Sequence, residues 1–145
     1  MRLSTKGLYA VRLMLHITAL GNSGPVSLKD IAEAQNISKK YLEQITPSLT
    51  SAQLLRSVRG ANGGYVLARP ASHITVLDVL QATEGSVSPV GCVAGGSIAC
   101  SMPEPCMEAN MWRGLDEVVH NYLSGITLQE IVDRESALAA DSYSI

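Results

Sequence analysis

Only two stretches of this chain are β-prone, Leu54–Val58 and Gly64–Ala68, and the residues between them, Arg59-Gly60-Ala61-Asn62-Gly63, have the chemistry of a hairpin turn. Sheet is therefore confined to one small hairpin, and the remaining core has to come from helices. Ahead of the hairpin, residues Ser4 to Leu20 form an amphipathic run. Leu8, Val11, Leu15 and Ala19 recur at helical spacing, and Tyr9, Leu13 and Ile17 widen the apolar face. Ser4 or Thr5 suits the N-cap, and Gly21-Asn22-Ser23-Gly24-Pro25 ends the helix.

Two short helices come next. Ser27, with Asp30 three residues on, is a near capping box for a helix from Leu28 to Gln35 that buries Leu28, Ile31 and Ala32. Asn36-Ile37 makes a turn, and Ser38 caps a second helix running through Tyr41, Leu42 and Ile45 toward Leu49. Pro47 is expected to kink or end that helix, with the helical pattern resuming from Ser48 to Leu54. A helix, a helix-turn-helix and then a hairpin is the order of elements in a winged helix. The expected fold class is mainly α with a small β-hairpin wing: a winged helix-turn-helix domain plus a long dimerisation helix.

Beyond the wing, Val76 to Glu84 reads as a helix, followed by a glycine- and proline-rich stretch with no hydrophobic period. Met107, Met111, Leu115, Val118, Val119 and Tyr122 then mark a long helix that ends at Ser124-Gly125. Its stripe suits a dimer contact or packing within its own subunit. Thr127 caps a last turn with Leu128, Ile131 and Val132. The expected division is residues 1–84 as a DNA-binding domain and 85–106 as a cysteine-rich loop. Residues 107–135 are the dimerisation helix and last turn, and 136–145 a flexible tail.

Length and composition narrow the classes further. A chain of 145 residues fits one domain with an extension, and an apolar share of 46% excludes global disorder. No apolar run is long enough to span a bilayer and no signal-peptide pattern follows the start, so a cytoplasmic protein is expected. The net charge of −2 hides an asymmetry: residues 1–69 balance at +6 and residues 70–145 at −8. That segregation directs the first part toward a polyanion.

On the second helix of the helix-turn-helix, Ser38, Lys39, Lys40, Tyr41, Glu43 and Gln44 supply donors, acceptors and charge for reading double-stranded DNA. Arg59 at the hairpin tip is placed to enter a minor groove, with Gly60, Gly63 and Gly64 allowing a tight turn. Taken singly, each is an ordinary solvated residue; the ordered combination is what points to DNA. Helix-turn-helix proteins usually read two half-sites as dimers.

The thiols carry the second signal. Cys92, Cys100 and Cys106 are the only cysteines, and they fall within fifteen consecutive residues. An odd number cannot all pair within one chain, and thiolates favour iron–sulfur clusters and zinc. The spacing Cys-x7-Cys-x5-Cys lacks the close pair typical of zinc sites and suits a loop wrapped around a bulkier cluster, 2Fe-2S or 4Fe-4S. Inert buried cysteines, or redox thiols without iron, are the alternatives. An enzyme using Cys106 as nucleophile is set aside, since the histidine that follows, His120, is fourteen residues away.

Met1-Arg2-Leu3-Ser4-Thr5-Lys6-Gly7, Tyr41-Leu42-Glu43-Gln44, Val58-Arg59-Gly60, Gly63-Gly64-Tyr65 and the three-cysteine loop before Trp112 resemble the IscR-type family over residues 1 to about 135. These are dimeric bacterial winged-helix transcription regulators, with NsrR and CymR as relatives. The resemblance implies DNA contacts from Ser38 to Gln44 and from Arg59, a homodimer, and iron ligation by Cys92, Cys100 and Cys106. It implies a regulator, expected to repress, whose DNA affinity follows a cluster sensing redox, nitric oxide or iron–sulfur status.

The chain departs from its relatives at the fourth ligand. The histidine that IscR-like proteins place three residues after the last cysteine is Ala109 here, and the carboxylate that NsrR-like proteins take from the partner's first helix is Leu8. Glu108, at the start of the next helix, ranks first as a replacement, ahead of Glu104, a cross-subunit His16 and an exchangeable small molecule. The alternative function is a cluster-free regulator of cysteine or sulfur metabolism, responding to a partner protein or to thiol oxidation, as in the CymR-like branch.

Overall fold

The computed structural model describes residues 3–92 and 107–143. Helices α1 (Thr5–Leu20), α2 (Leu28–Gln35) and α3 (Lys39–Ser51) precede a hairpin of β1 (Leu55–Val58) and β2 (Gly64–Leu67). A 3-10 turn, Ala71–His73, leads to α4 (Val76–Glu84), and α5 (Ala109–Ser124) and α6 (Leu128–Tyr143) complete the order. This is the winged helix-turn-helix expected from the sequence, with a two-helix extension.

Hydroxyl caps set the helix starts. Ser4, Ser27 and Ser38 each accept a hydrogen bond from the backbone N–H three residues on, at 3.2, 3.1 and 3.3 Å. Thr75 and Asp78 close a reciprocal capping box on α4, and Thr127 and Glu130 close one on α6. Each cap stabilises its helix by about 1 kcal/mol.

The core gathers Leu13, Met14 and Ile17 of α1, Ile31 of α2, Leu42, Ile45 and Leu49 of α3, and Leu54, Leu55, Ile74, Val79 and Leu128. The buried face of α1 differs from the expected one. Ala10, Leu13, Met14 and Ile17 are buried, whereas Leu8 and Ala19 are exposed. Apolar residues surround α1 almost completely, so packing against α3 and α4 selects the face rather than periodicity alone.

Pro47 does not break α3. Pro47 and Glu43, whose carbonyl loses its intrahelical donor, both lie on the exposed side, where water can replace the missing N–H. Burial of Leu42, Ile45 and Leu49 holds the other side. The helix stops at Ser51 instead of reaching Leu54, because Gln53 adopts a left-handed φ of 59° and swings the chain into β1.

The strands pair antiparallel in the register Leu55↔Leu67, Arg56↔Val66, Ser57↔Tyr65 and Val58↔Gly64. Val26, from the α1–α2 connector, adds a bridge that the sequence did not signal: its N–H donates to the Tyr65 carbonyl at 3.0 Å and its carbonyl accepts from the Tyr65 N–H at 2.8 Å. A Cβ at position 64 would collide with the Val26 carbonyl, so this close approach requires Gly64.

At the other end lie residues 136–143, the segment expected as a tail. They continue α6 as helix through Tyr143. Ala137, Leu138, Ala139 and Ala140 are strong helix formers, and the first turn of α6 is anchored in the main core by fully buried Leu128.

Candidate nucleic-acid interface and cysteine segment

The reading helix α3 is seated by its apolar side and presents the opposite one. Ser38, Lys39, Lys40, Glu43 and Gln44 are exposed in its first two turns. The Ser38 hydroxyl accepts from the Tyr41 N–H, so its own proton remains available for a phosphate oxygen. Lys39 and Glu43 lie 3.9 Å apart with both side chains more than half exposed, a screened pair that a polyanion can easily separate.

Tyr41 has a different setting from its neighbours. Its ring is half-buried and meets Tyr9 of α1 edge-on, with centroids 5.3 Å apart and planes at 79°. Arg12 stands over the Tyr9 ring, 5.9 Å from its centroid. Tyr9 thus buttresses the reading helix, a role that sequence spacing assigned only to the apolar face of α1.

Arg59 is exposed at the start of the wing turn, which the Gly63 N–H closes onto the Gly60 carbonyl at 3.0 Å. Gly60 has φ 121°, and a Cβ at Gly63 would run into the Val58 carbonyl. Arg56 is a second exposed cation on the same hairpin. The strand alternation, Leu55 in and Arg56 out, was the available signal for it.

The cysteine segment joins α4 to α5. Val87 is buried against Val76 and Leu80, and half-buried Cys92 closes the described part of this segment. Cys100, Cys106 and Glu104 lie outside the described residues. Glu108 occupies the N-cap position of α5, where its carbonyl accepts from the Trp112 N–H at 3.0 Å. Among the described residues no three metal-binding side chains gather at one place. His16 is held by Gln35, whose amide nitrogen lies 3.2 Å from Nδ1, which gives it a structural occupation. Leu8 is 51% exposed on α1.

Helix α5 exposes one apolar stripe: Met111, Leu115, Val118 and Tyr122 are 57%, 41%, 64% and 68% exposed. Its one buried residue is Asp116, whose carboxylate lies 3.3 Å from His120 Nδ1. Among the described residues no helix is long and apolar enough to cross a membrane.

An exposed polar helix at the end of a helix-turn-helix and a cationic wing pinned beside it define a winged-helix, DNA-binding transcription regulator. Comparison with known proteins narrows the class. The chain belongs to the Rrf2 family, described as "Iron-dependent Transcriptional regulator", whose model matches residues 3–134. It is 41% identical over 138 residues to the HTH-type transcriptional regulator IscR of Klebsiella pneumoniae, covering 95% of this chain and 83% of the relative. Among solved structures it is similar to CymR, the global cysteine regulator of B. subtilis, with a TM-score of 0.79 and 34% identity over 92% of this chain and 98% of that one. It is also similar to T. potens IscR, with a TM-score of 0.75 and 33% identity over 93% and 88% of the two chains. The resemblance read from the motifs is borne out, and the relatives are named as transcription regulators rather than enzymes.

Proposed function

We propose that this chain is a homodimeric repressor whose hold on DNA is governed by an iron–sulfur cluster, 2Fe-2S or 4Fe-4S, bound by Cys92, Cys100 and Cys106 with Glu108 as fourth ligand. The observation that carries the reading is positional. Every thiol of the chain lies between the end of α4 and the start of α5, at the junction of the reading head and the exposed stripe. The donor chemistry fits: three thiolates and one carboxylate supply four ligands, in a set too widely spaced for an ordinary zinc knuckle.

When bound, such a cluster supplies a centre whose integrity depends on oxidants, nitric oxide or iron supply. The chain's residues do the rest. Ser38, Lys39, Lys40, Tyr41, Glu43 and Gln44 face the major groove, Arg59 reaches the minor groove, and Arg56 contacts phosphate. The stripe of Met111, Leu115, Val118 and Tyr122 is covered by a second copy, because a row of exposed apolar side chains this long marks an association surface. The angle of α5 then fixes the separation of two reading heads. A difference of about 1–3 kcal/mol between the two states of the segment is enough for 5–150-fold control.

The test is an anaerobic preparation with iron and sulfide quantified. Broad visible absorption, with iron and sulfide in comparable amounts, supports the reading. A colourless, iron-free protein supports the second reading, a cluster-free regulator of cysteine or sulfur metabolism. That second reading is favoured by Leu8 and Ala109, which cannot ligate, and by the similarity to CymR.

A further inference from the structure

We infer that Glu84 is the positioning residue through which the cysteine segment acts on the reading helix; the inference rests on the regulatory reading above. Glu84 is the last residue of α4, and its Oε1 accepts two hydrogen bonds from Ser4, from the backbone N–H at 2.9 Å and from the hydroxyl at 2.5 Å. Ser4 is the N-cap of α1, and its Oγ in turn accepts from the Gly7 N–H at 3.2 Å. One carboxylate oxygen thus holds the start of α1 across eighty positions of sequence.

The contact is close-fitting: a Cβ added at Gly7 would meet Glu84 Oε1 and displace the carboxylate from its present place. Helix capping alone does not explain it, because the Ser4 hydroxyl already satisfies an orphan N–H of α1. What the carboxylate adds is a charge-assisted tie, at the positive end of the α1 dipole, to the element that leads into the cysteines.

Both sides of the tie lead somewhere. Beyond Glu84, Gly85 turns the chain with φ 78°, Val87 is buried against Val76 and Leu80, and Cys92 follows five residues later. Beyond Ser4, α1 carries Tyr9, whose ring abuts Tyr41 of α3. A displacement of the segment therefore loads the end of α4, and release of Ser4 frees the first turn of α1 to move Tyr9 against the reading helix.

The full-length chain is prepared anaerobically with iron and sulfide, and a matched sample is stripped with a chelator. The probe is a duplex selected on the parent from a random-sequence library. The parent sets a ratio of affinities between the two samples. Glu84→Ala is expected to shrink that ratio toward one by at least fivefold at unchanged iron content, and Glu84→Gln, whose amide oxygen still accepts both bonds, to restore most of it. A full ratio in Glu84→Ala overturns the inference. A parent without iron and without a ratio sinks the cluster reading instead, and a second arm on the stripped protein then decides on the latch. There, Glu84→Ala and Ser4→Ala should each raise amide exchange at residues 5–9 and also at 39–45. Exchange raised at 5–9 alone overturns the latch.

Discussion

Tyr41 of the reading helix stands edge-on to Tyr9 of α1, with ring centroids 5.3 Å apart and planes at 79°. Edge-to-face aromatic pairs contribute about 0.5–1.5 kcal/mol beyond area burial. A double-mutant cycle of Tyr9→Leu and Tyr41→Leu, followed by urea denaturation, should return a coupling of about that size. Strict additivity would remove Tyr9 from its role as buttress.

The exposed stripe of α5 gives the oligomer prediction. Val118→Asp with Tyr122→Arg places opposite charges on residues that are 64% and 68% exposed. The single chain should fold as before, since neither side chain belongs to its core, while sedimentation shows half the parent's mass. An unchanged mass would place the interface elsewhere.

Gly64→Ala tests the pinned wing. The added carbon would collide with the Val26 carbonyl and strain the reciprocal bonds between Val26 and Tyr65. Overpacking of this kind costs about 1–3 kcal/mol. Thermal unfolding should fall accordingly, and DNA affinity at a temperature where the variant remains folded should fall as well. A normal affinity would detach the wing from recognition.

Arg56→Ala should weaken DNA binding and lower the magnitude of the log–log salt slope by about 0.9, the value for one phosphate contact released. Binding titrations at several salt concentrations read both effects. Weaker binding with an unchanged slope would instead indicate that Arg56 neutralises no phosphate.

Gln53 holds a left-handed φ of 59° without being glycine. Gln53→Gly relieves the Cβ penalty there while adding flexibility to the unfolded chain, and the balance should favour the variant by up to about 1 kcal/mol. Equilibrium denaturation measures it, and a destabilised variant would show that Gln53 makes a compensating contact.

Where local chemistry is strong, the sequence and the structure agree. Ser27 and Ser38 cap the helices they were expected to cap, and α2 and α4 have the expected bounds, because hydroxyl caps and the positive-φ stops at Asn36 and Gly85 act within four residues. The disagreements arise where distant packing decides. The buried face of α1 is chosen by α3 and α4, and Pro47 is tolerated because its neighbours are anchored. Of the candidate site, the exposed face of α3 and the wing tip could be read directly from Lys39, Lys40 and Arg59. The ties of Val26 to Tyr65 and of Glu84 to Ser4 could not, since backbone bridges and long-range carboxylate contacts leave no periodic trace.

The bridge between Val26 and Tyr65 fastens the wing to the loop that also feeds the helix-turn-helix. The wing is thereby splinted to the base of the helix-turn-helix. A push on the reading helix through Tyr9 is then felt by the hairpin as well, so that regulation through this contact displaces both grips in concert rather than one against the other.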